Sequence, residues 1–289
     1  MKVLSCFIQK GGVGKTTATI NLGAAFALML SYEAKANRTP GRVLIIDLDQ
    51  QTHSDITLSG GFFAERQVRQ LGPYDNIAGL LTLETDRPIF DIITTATIPH
   101  NALGNLDFIP SSKKKMMNVD AILRGDPVEG VYRLRELLSP IEHSYEYVVI
   151  DNPPALNFIS TNSLVAATHV LIPVQLETLA LDGLTEAIHT IESVRKQQNR
   201  GLQLVGILPT MCDFRYQEQK EFLESLTSQY GDLILPPISR RAEISYAMSE
   251  GLDIFSFKPS RQSGELASAS QATREYALAA AEIRRRMDA

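Results

Sequence analysis

The stretch QKGGVGKTT, residues 9–17, joins a short apolar run to a segment of helix-forming composition. A glycine-rich loop in that position lets successive backbone N–H groups turn inward, and the helix that follows aims its positive end at an anion. Gly14, Lys15 and Thr16 match the second half of the pattern G-x-x-x-x-G-K-[ST], although Gln9 replaces the first glycine. The stretch therefore predicts a phosphate-binding loop.

Each residue type in this loop matches a group that a nucleoside triphosphate requires. Lys15 would bridge the β and γ phosphates, the Thr16 hydroxyl would ligate Mg²⁺, and Thr17 would reach the α phosphate. The remaining candidate nucleotide-binding residues of the loop are Lys10, Gly11, Gly12, Val13 and Gly14. A glycine turn that binds nothing is the alternative, but strand, glycines, Lys-Thr and helix occur here in the required order. ATP and Mg²⁺ are the expected cofactors.

Three aspartates follow apolar runs and are candidates for metal binding and catalysis. YEYVVIDNPP ends a run with Asp151, and LIIDLDQQ ends another with Asp47 and Asp49. Because Mg²⁺ prefers hard oxygen ligands, Asp47 and Asp151 join Thr16 as the predicted metal residues. Asp49 would orient or deprotonate the attacking water, and it would face the same side as Asp47 if the strand continued. The alternative for an aspartate at a strand end is a helix cap or a turn.

Strands and helices alternate along the chain. The predicted strands are residues 3–8, 42–47, 106–109, the runs YEYVVID and HVLIPVQ, and residues 202–210. The predicted helices are residues 15–30, 76–83, one beginning near residue 115, and residues 131–138 and 181–198. This alternation predicts an α/β fold of the P-loop NTPase type, with a mostly parallel, twisted sheet, helices on both faces and ligands at the carboxyl ends of the strands. Residues 31–41 are predicted to form an exposed connection, and no linker argues against a single domain over residues 1–289.

Composition excludes some classes of protein. The chain has 289 residues, of which 44% are hydrophobic and 21% charged, and its formal net charge is -5. That charge gives no global attraction to nucleic acid or anionic lipid, so such contacts would require a local patch. The longest apolar stretch, LGAAFALML, is shorter than the ~20 residues that span a bilayer, and no signal peptide is recognisable. Cys6 and Cys212 have no metal-like spacing, and we expect buried thiols in a cytoplasmic protein.

KGGVGKTT, with a lysine at the start of the loop, resembles the deviant Walker A box of the ParA/MinD ATPases. LIIDLDQQ, VVIDNPPA and GILPTMCDFR narrow the resemblance to ParA-type partition ATPases over residues 1–287. In that family the additional lysine crosses a nucleotide sandwich dimer and touches the phosphates held by the partner subunit. The resemblance implies this catalytic role for Lys10, beside Lys15 and Asp49, and a homodimer that forms on ATP binding. The alternative is a solvated loop lysine.

The resemblance has further implications and some departures. Met211 and Asp213 in PTMCDFR match the loop over the adenine ring, with a plain strand-end turn as the alternative. Gln50 replaces the proline that the family often has in its second acidic box, and Asn152 replaces Thr or Cys after Asp151. Both changes leave the predicted carboxylates in place.

The family also implies that the ATP-bound dimer binds DNA without sequence preference and associates with the nucleoid. A ParB-like or cargo-adaptor activator protein would stimulate its slow hydrolysis. Arg240 and Arg241 in ISRRAEI match the DNA-contacting region and are the first candidates, because such binding needs basic side chains on one face. Other basic clusters are Arg195, Lys196 and Arg200; Lys258 and Arg261; and Arg284, Arg285 and Arg286. A solvated face is the alternative for each cluster, and residues 113–115, all lysine, are expected in a surface loop.

Two related functions make different demands on the sequence. A MinD-like membrane-cycling ATPase, the main alternative, would need a C-terminal amphipathic helix with bulky apolar residues. In ATREYALAAAEIRRRM, the face with Tyr276, Ala280 and Ile283 is rich in alanine and better suited to docking on the domain than to entering lipid. An iron–sulfur reductase would need a set of cysteine ligands that Cys6 and Cys212 do not form. We therefore expect a partition ATPase without membrane insertion.

Overall fold

A seven-stranded sheet forms the centre of the protein. The computed structural model describes residues 1–34, 39–51, 57–58, 72–98, 104–177, 180–258 and 270–289. The strands are β1 (Lys2–Cys6), β2 (Val43–Asp47), β3 (Thr94–Thr95), β4 (Leu106–Ile109), β5 (Tyr147–Asp151), β6 (His169–Gln175) and β7 (Gln203–Thr210). Their order is β3-β4-β2-β5-β1-β6-β7, with β3 antiparallel to β4 and the other neighbours parallel. The predicted mostly parallel sheet is confirmed.

Helices connect and cover these strands. They are α1 (Lys15–Glu33), α2 (Ile77–Thr82), α3 (Ile89–Ile92), α4 (Lys113–Arg124), α5 (Arg133–Leu138), α6 (Phe158–Ala166), α7 (Ala180–Gln197), α8 (Gln217–Tyr230), α9 (Ala242–Ser249) and α10 (Gln271–Met287). Short 3₁₀ turns occur at Ser139–Ile141 and Gly231–Leu233.

Alternate residues of the central strands feed two hydrophobic cores, one on each face of the sheet. In β2, Leu44 and Ile46 belong to the core that includes side chains of α5, α6 and α7. Val43 and Ile45 belong to the core that includes side chains of α1 and α10. Successive side chains of a strand point to opposite faces, so a strand covered on both faces is apolar throughout. This burial explains the continuous apolar runs in the sequence.

The position of β1 determines where a ligand can bind. β1 lies between β5 and β6. The chain passes from β1 to β2 on one side of β1, and it later returns from β5 across β1 to form β6 on the other side. In open parallel sheets the crevice at such a reversal, outside the carboxyl ends of the strands, is the usual ligand site. The glycine loop that follows β1 lies at this point.

A buried carboxylate fixes the sheet edge on the β4 side. Asp107 of β4 has no solvent exposure. It accepts hydrogen bonds from the Tyr145 hydroxyl at 2.8 Å, from the Thr95 hydroxyl at 2.9 Å and from the Arg42 guanidinium. A buried charge is tolerated when it is paired and fully hydrogen-bonded. Burial raises the pKa of Tyr145, so its hydroxyl stays protonated and can donate. The network fixes the register of β3 and β4 against β2.

Several predicted boundaries differ from the structure. Strand β1 ends at Cys6 rather than residue 8, since Phe7 and Ile8, although buried, already lead into the loop. Helix α1 continues to Glu33, where the Arg284 guanidinium binds the Glu33 carboxylate at 2.6 Å. Residues 31–33 are therefore helical rather than part of the predicted connection, whose residues 35–38 lie outside the described part of the chain. The three lysines at 113–115 are not in a loop, because they form the first turn of α4.

Four of the described helices, α3, α6, α8 and α9, were not predicted, and α3 is a single turn of four residues. Only Leu226 of α8 is buried, and only Ala247 of α9, so neither segment carries a clear apolar periodicity. Helix α6 is short, and its start is set by Asn157, whose side chain accepts from the Ser160 amide in a reciprocal capping box. Such local caps are weak signals in a single sequence.

The C-terminal helix α10 docks on the domain, as predicted. Its apolar face, with Tyr276, Ala280, Ile283 and Met287, is at most 2% exposed and packs in the core that includes α1. Among the described residues, no helix combines the length and apolarity needed to cross a membrane. The face that a lipid-binding helix would need is already covered.

The packing of α10 gives a prediction about stability. Ile283→Ala should lower the free energy of unfolding by about 2–5 kcal/mol, because it removes buried methyl groups and leaves a cavity. Leu278→Ala, on the exposed face of the same helix, should change it by less than about 0.5 kcal/mol. Urea unfolding followed by circular dichroism measures both. Equal effects of the two substitutions would contradict the docked position of α10.

Candidate functional site

The glycine loop after β1 has the backbone conformation of an anion cradle. Gly12 has φ +75° and Gly14 φ +80°, the left-handed region that L-residues with side chains adopt with strain. Gly14 is the residue before α1, so the free amides of the first helical turn face the loop without a capping side chain. A Cβ at Gly14 would also lie 3.3 Å from the Met211 methyl carbon. Glycine is therefore required at both positions.

Lys15 lies inside this cradle. Lys15 is only 6% exposed, and its ammonium donates a hydrogen bond to the Lys10 carbonyl oxygen at 2.7 Å. Burial lowers the pKa of Lys15, while the nearby carboxylates of Asp151 and Asp49 oppose that shift. The ammonium is thus held at the inner side of the loop, where a phosphate group would replace the carbonyl as its partner.

A hydroxyl and two carboxylates meet beside Lys15. The Thr16 hydroxyl donates to Asp151 at 2.6 Å, and Asp151 has no solvent exposure. Asp151 of β5 pairs in register with Asp47 of β2, and Asp47 is 2% exposed. Parallel strands in register bring these two carboxylates to the same edge, as the sequence predicted. Hard oxygen donors of this kind suit Mg²⁺.

The donor set also indicates how such a metal would be held. Within the described ranges, no group of three or more His, Cys, Asp or Glu side chains could by itself enclose a metal ion. Mg²⁺ usually keeps several waters and takes one or two protein ligands together with substrate phosphates. Thr16, Asp47 and Asp151 fit that mode of binding, in which the nucleotide supplies part of the coordination.

Asp49 reaches the site differently from the expectation. Strand β2 ends at Asp47, so strand alternation does not place Asp47 and Asp49 on one side. Instead the Asp47 carboxylate accepts from the Asp49 amide at 2.8 Å, and the Asp49 carboxylate accepts from the Gln51 amide at 3.0 Å. The turn keeps Asp49 partly exposed. It also places the Asp49 carboxylate close enough to Lys15 to oppose the lowering of the ammonium's pKa by burial. A partly exposed carboxylate there can contact water.

A cavity of about 390 Å³ opens beside the glycine loop. Its lining comes from Gly14, Thr17, Thr210, Met211, Ile238, Ser239, Arg240, Arg241, Ile244, Ser245, Met248 and Tyr276. Such a mixture of apolar and polar side chains suits a nucleotide base. Met211, a predicted neighbour of the base, lines this cavity.

Asp213 and the two candidate DNA-binding arginines border a second, wider cleft of about 770 Å³. Asp213 does not line the cavity beside Gly14. Its carboxylate accepts from the Arg215 guanidinium at 2.6 and 2.8 Å, and these hydrogen bonds lower the pKa of Asp213 to about 2. Arg240 and Arg241 are exposed and line both the cavity and the cleft.

The other basic clusters differ in their surroundings. Arg284 binds Glu33, while Arg285 and Arg286 bind Glu282 at 2.7 Å, so these side chains are engaged in ion pairs within the chain. Arg195 and Lys196 lie in the last turn of α7. Arg261 lies outside the described residues. The side chains of Arg284 and Arg286 are mostly covered in these pairs, whereas that of Arg285 stays exposed.

Three contacting side chains were missed in the sequence. The Thr210 hydroxyl donates to the Val13 carbonyl at 2.8 Å, and the Gln175 amide donates to the Gly12 carbonyl at 3.3 Å. Glu177 accepts from the Lys10 ammonium at 3.0 Å. All three follow the apolar runs of β6 and β7, so the rule that identified the three aspartates would also have found them.

The predicted departure at Asn152 and the two cysteines have structural explanations. The Asn152 amide donates to the Ser5 hydroxyl at 2.9 Å and to the Cys6 carbonyl at 3.0 Å, which anchors the chain after Asp151 to β1. Cys6 and Cys212 are buried, and burial raises the pKa of each thiol to about 12. Within the described residues, neither thiol belongs to a group of side chains that could hold a metal ion.

Comparisons with known proteins agree with this geometry. A family model described as an AAA domain matches residues 1–204. The sporulation initiation inhibitor protein Soj of Bacillus subtilis is 32% identical over 272 residues, which cover 92% of this chain and 94% of that protein. The chromosome partitioning protein ParA of Caulobacter vibrioides is 35% identical over 254 residues, which cover 87% of this chain and 85% of that protein.

A solved structure adds information on ligands. The crystal structure of cobyrinic acid a,c-diamide synthase from Mycobacterium smegmatis, with a bound ATP analog and magnesium, superposes with a TM-score of 0.67. It is 27% identical in sequence, and the match covers 86% of this chain and 90% of that chain. The fold is therefore one in which a related protein holds a nucleotide and magnesium together.

The position of Lys15 gives a prediction about nucleotide binding. Lys15→Ala should weaken ATP binding by roughly 10- to 100-fold, because the phosphates lose a charged hydrogen-bond donor. Lys114→Ala, at an exposed position of α4, serves as the control and should leave the affinity unchanged. Titration calorimetry with MgATP measures both. Wild-type affinity in the Lys15 variant would show that the cradle does not bind the triphosphate.

Proposed function

Given that the chain belongs to the ParA/Soj family of partition ATPases, we propose that ATP binding pairs two copies into a sandwich dimer that binds DNA without sequence preference. In this proposal ATP hydrolysis releases the pair, and a ParB-like or cargo-adaptor protein accelerates that step. The cycle would position a cargo, such as a plasmid, a chromosome or a cytoplasmic body, on the nucleoid.

The observation that carries the proposal is the presence of two lysines in one phosphate loop. Lys15 occupies the inner position, from which it can bind the phosphates of its own chain. Lys10 lies at the outer rim, and its side chain is 30% exposed. Because Lys15 already supplies a cation to the phosphates of its own chain, Lys10 is not needed there. A second cation at the rim is suited to phosphates held by another copy. Neutralisation of the triphosphate would then depend on pairing.

The residues around Lys15 would divide the work of hydrolysis. Thr16, Asp47 and Asp151 would hold magnesium, which supplies charge neutralisation at the phosphate oxygens when bound. The amides of Gly11 to Gly14 and of the first turn of α1 would bind the phosphate oxygens. Asp49, partly exposed at the end of its turn, would orient the attacking water and accept its proton.

The base and DNA contacts are assigned to neighbouring surfaces. The cavity lined by Met211, Ile238 and Tyr276 would hold the adenine ring. Arg240 and Arg241 border that cavity and are exposed toward the cleft, so they could contact phosphates of DNA while a nucleotide fills the cavity. Two copies in a dimer would double the number of such contacts, which favours DNA binding by the paired form.

Two substitutions separate pairing from turnover. Lys10→Ala should prevent productive dimers and lower ATP hydrolysis by roughly 100-fold or more, the scale of removing one preorganised donor. Asp49→Ala should still pair with MgATP but should not turn over, because the attacking water loses its base. Sedimentation velocity with ADP and then ATP, together with phosphate release, measures both properties.

The control for this pair is Lys220→Ala, an exposed lysine of α8, which should behave as the wild type. Unchanged turnover in Lys10→Ala would exclude a role for this lysine in the partner's site. A monomer with ATP at every concentration in Asp49→Ala would exclude the sandwich dimer.

DNA binding is tested with the double variant Arg240→Ala, Arg241→Ala. It should weaken binding similarly for unrelated sequences and reduce the slope of log K against log[salt] by about one for each phosphate that the arginines no longer neutralise. Arg124→Ala, an exposed arginine of α4, is the matched control. Mobility shifts at several salt concentrations, beside liposome sedimentation, provide the measurement. Lipid binding without DNA binding would support the membrane-cycling alternative instead.

A further inference from the structure

The side chain of Lys10 is held within its own chain. Its ammonium lies 3.0 Å from the Glu177 carboxylate, and Glu177 follows β6 by two residues. Glu177 is itself 55% exposed, so the pair lies at the rim of the site rather than in the core. A lysine that acts on a partner's phosphates has to leave this carboxylate first.

Three contacts link the ends of β6 and β7 to the glycine loop, and they differ in what they hold. Gln175 binds the Gly12 carbonyl, and Thr210 binds the Val13 carbonyl, so both fix backbone atoms of the cradle. Glu177 is the one of the three that binds a side chain of the glycine loop. The contacts of Gln175 and Thr210 can persist when a nucleotide binds. The contact between Glu177 and Lys10 has to break before the Lys10 side chain can reach the phosphates of a partner chain.

Lys10 has a second attachment through its backbone. Its carbonyl oxygen accepts from the Lys15 ammonium, which would turn to a phosphate once ATP is bound. Nucleotide binding would therefore free the carbonyl, and the side chain would stay on Glu177 until a partner's phosphates compete for it. ATP binding would thus release the Lys10 carbonyl from Lys15, whereas dimer formation would release the Lys10 ammonium from Glu177.

We propose that Glu177 is a positioning residue that retains Lys10 in the unpaired chain and thereby raises the concentration at which two ATP-loaded chains pair. This inference rests on the function proposed above. It assigns to Glu177 the control of the pairing threshold, separate from nucleotide binding and from the hydrolytic step.

The size of the effect follows from the exposure of the pair. An exposed ion pair shifts an equilibrium by up to about fivefold. Apparent affinity falls by the fraction of chains that are competent to bind, and each dimer requires two released lysines. The pair would therefore raise the apparent dissociation constant of the dimer by up to about 25-fold. Salt should reduce this difference, since exposed charges are screened.

The experiment compares Glu177→Gln with its parent in the Asp49→Ala background, where hydrolysis does not deplete ATP. Gln keeps the shape of Glu and removes its charge. Sedimentation velocity over a protein concentration series with MgATP should show half-maximal pairing at a concentration several-fold lower in the Glu177 variant. The difference should shrink at high salt. Glu224→Gln, an exposed carboxylate of α8, should not shift the curve.

Two results would overturn the inference. An unchanged or raised pairing concentration in the Glu177 variant, with a parent that does pair, would show that Glu177 does not restrain Lys10 and that only this inference fails. A parent that never pairs with ATP would remove the sandwich dimer and the role of Glu177 with it. Titration calorimetry with MgATP on dilute monomer should give the same affinity for variant and parent, because the restraint acts on pairing.

Discussion

The hydrogen bond from the Lys15 ammonium to the Lys10 carbonyl, 2.7 Å long, links the two cations of the glycine loop. A buried ammonium without an acceptor would be strongly unfavourable, and the loop supplies one from its own backbone. This keeps the cradle closed around a cation before any phosphate arrives. It also sets the backbone course of the loop at Lys10, so the side chain of that residue points to the rim, where Glu177 meets it. The separation of an inner and an outer lysine depends on this bond.

The acids of the site are placed by the sheet. Asp47 and Asp151 lie side by side because β2 and β5 are parallel and in register, and both are buried. Two neighbouring carboxylates in a poorly solvated place repel each other unless cations or donors compensate. Lys15 and the Thr16 hydroxyl provide part of that compensation, and Mg²⁺ with its waters would provide more. The chain thus places acids and cations together at one edge of the sheet. Their charges would be compensated most fully when a metal–nucleotide complex is bound.

The sequence predicted those parts of the fold and site that depend on local pattern. Continuous apolar runs identified the buried strands, and residues at their carboxyl ends, Asp47 and Asp151, lie together as expected. The surroundings of Asp213 were not predictable, because its ion pair with Arg215 depends on the path of the loop after β7. Helices α8 and α9 were missed because they bury only one residue each, and their stability comes from tertiary contacts that leave little periodicity. The Glu177 contact also depends on tertiary structure, since 167 positions separate it from Lys10.

Helix α10 forms part of the wall of the base cavity, and this position bears on whether the helix could insert into a membrane. Tyr276 lines the cavity, and burial raises the pKa of its hydroxyl, which bonds to Asn21 of α1. The adjacent Glu275 accepts from the amide and the hydroxyl of Ser239, another residue of the cavity wall. The helix therefore builds part of the site in addition to covering the core. Release of its apolar face to a lipid surface would remove Tyr276 from the cavity and leave Ser239 without its carboxylate partner. A nucleotide that fills this cavity would stabilise the docked helix, so ATP would oppose membrane insertion through α10 rather than promote it.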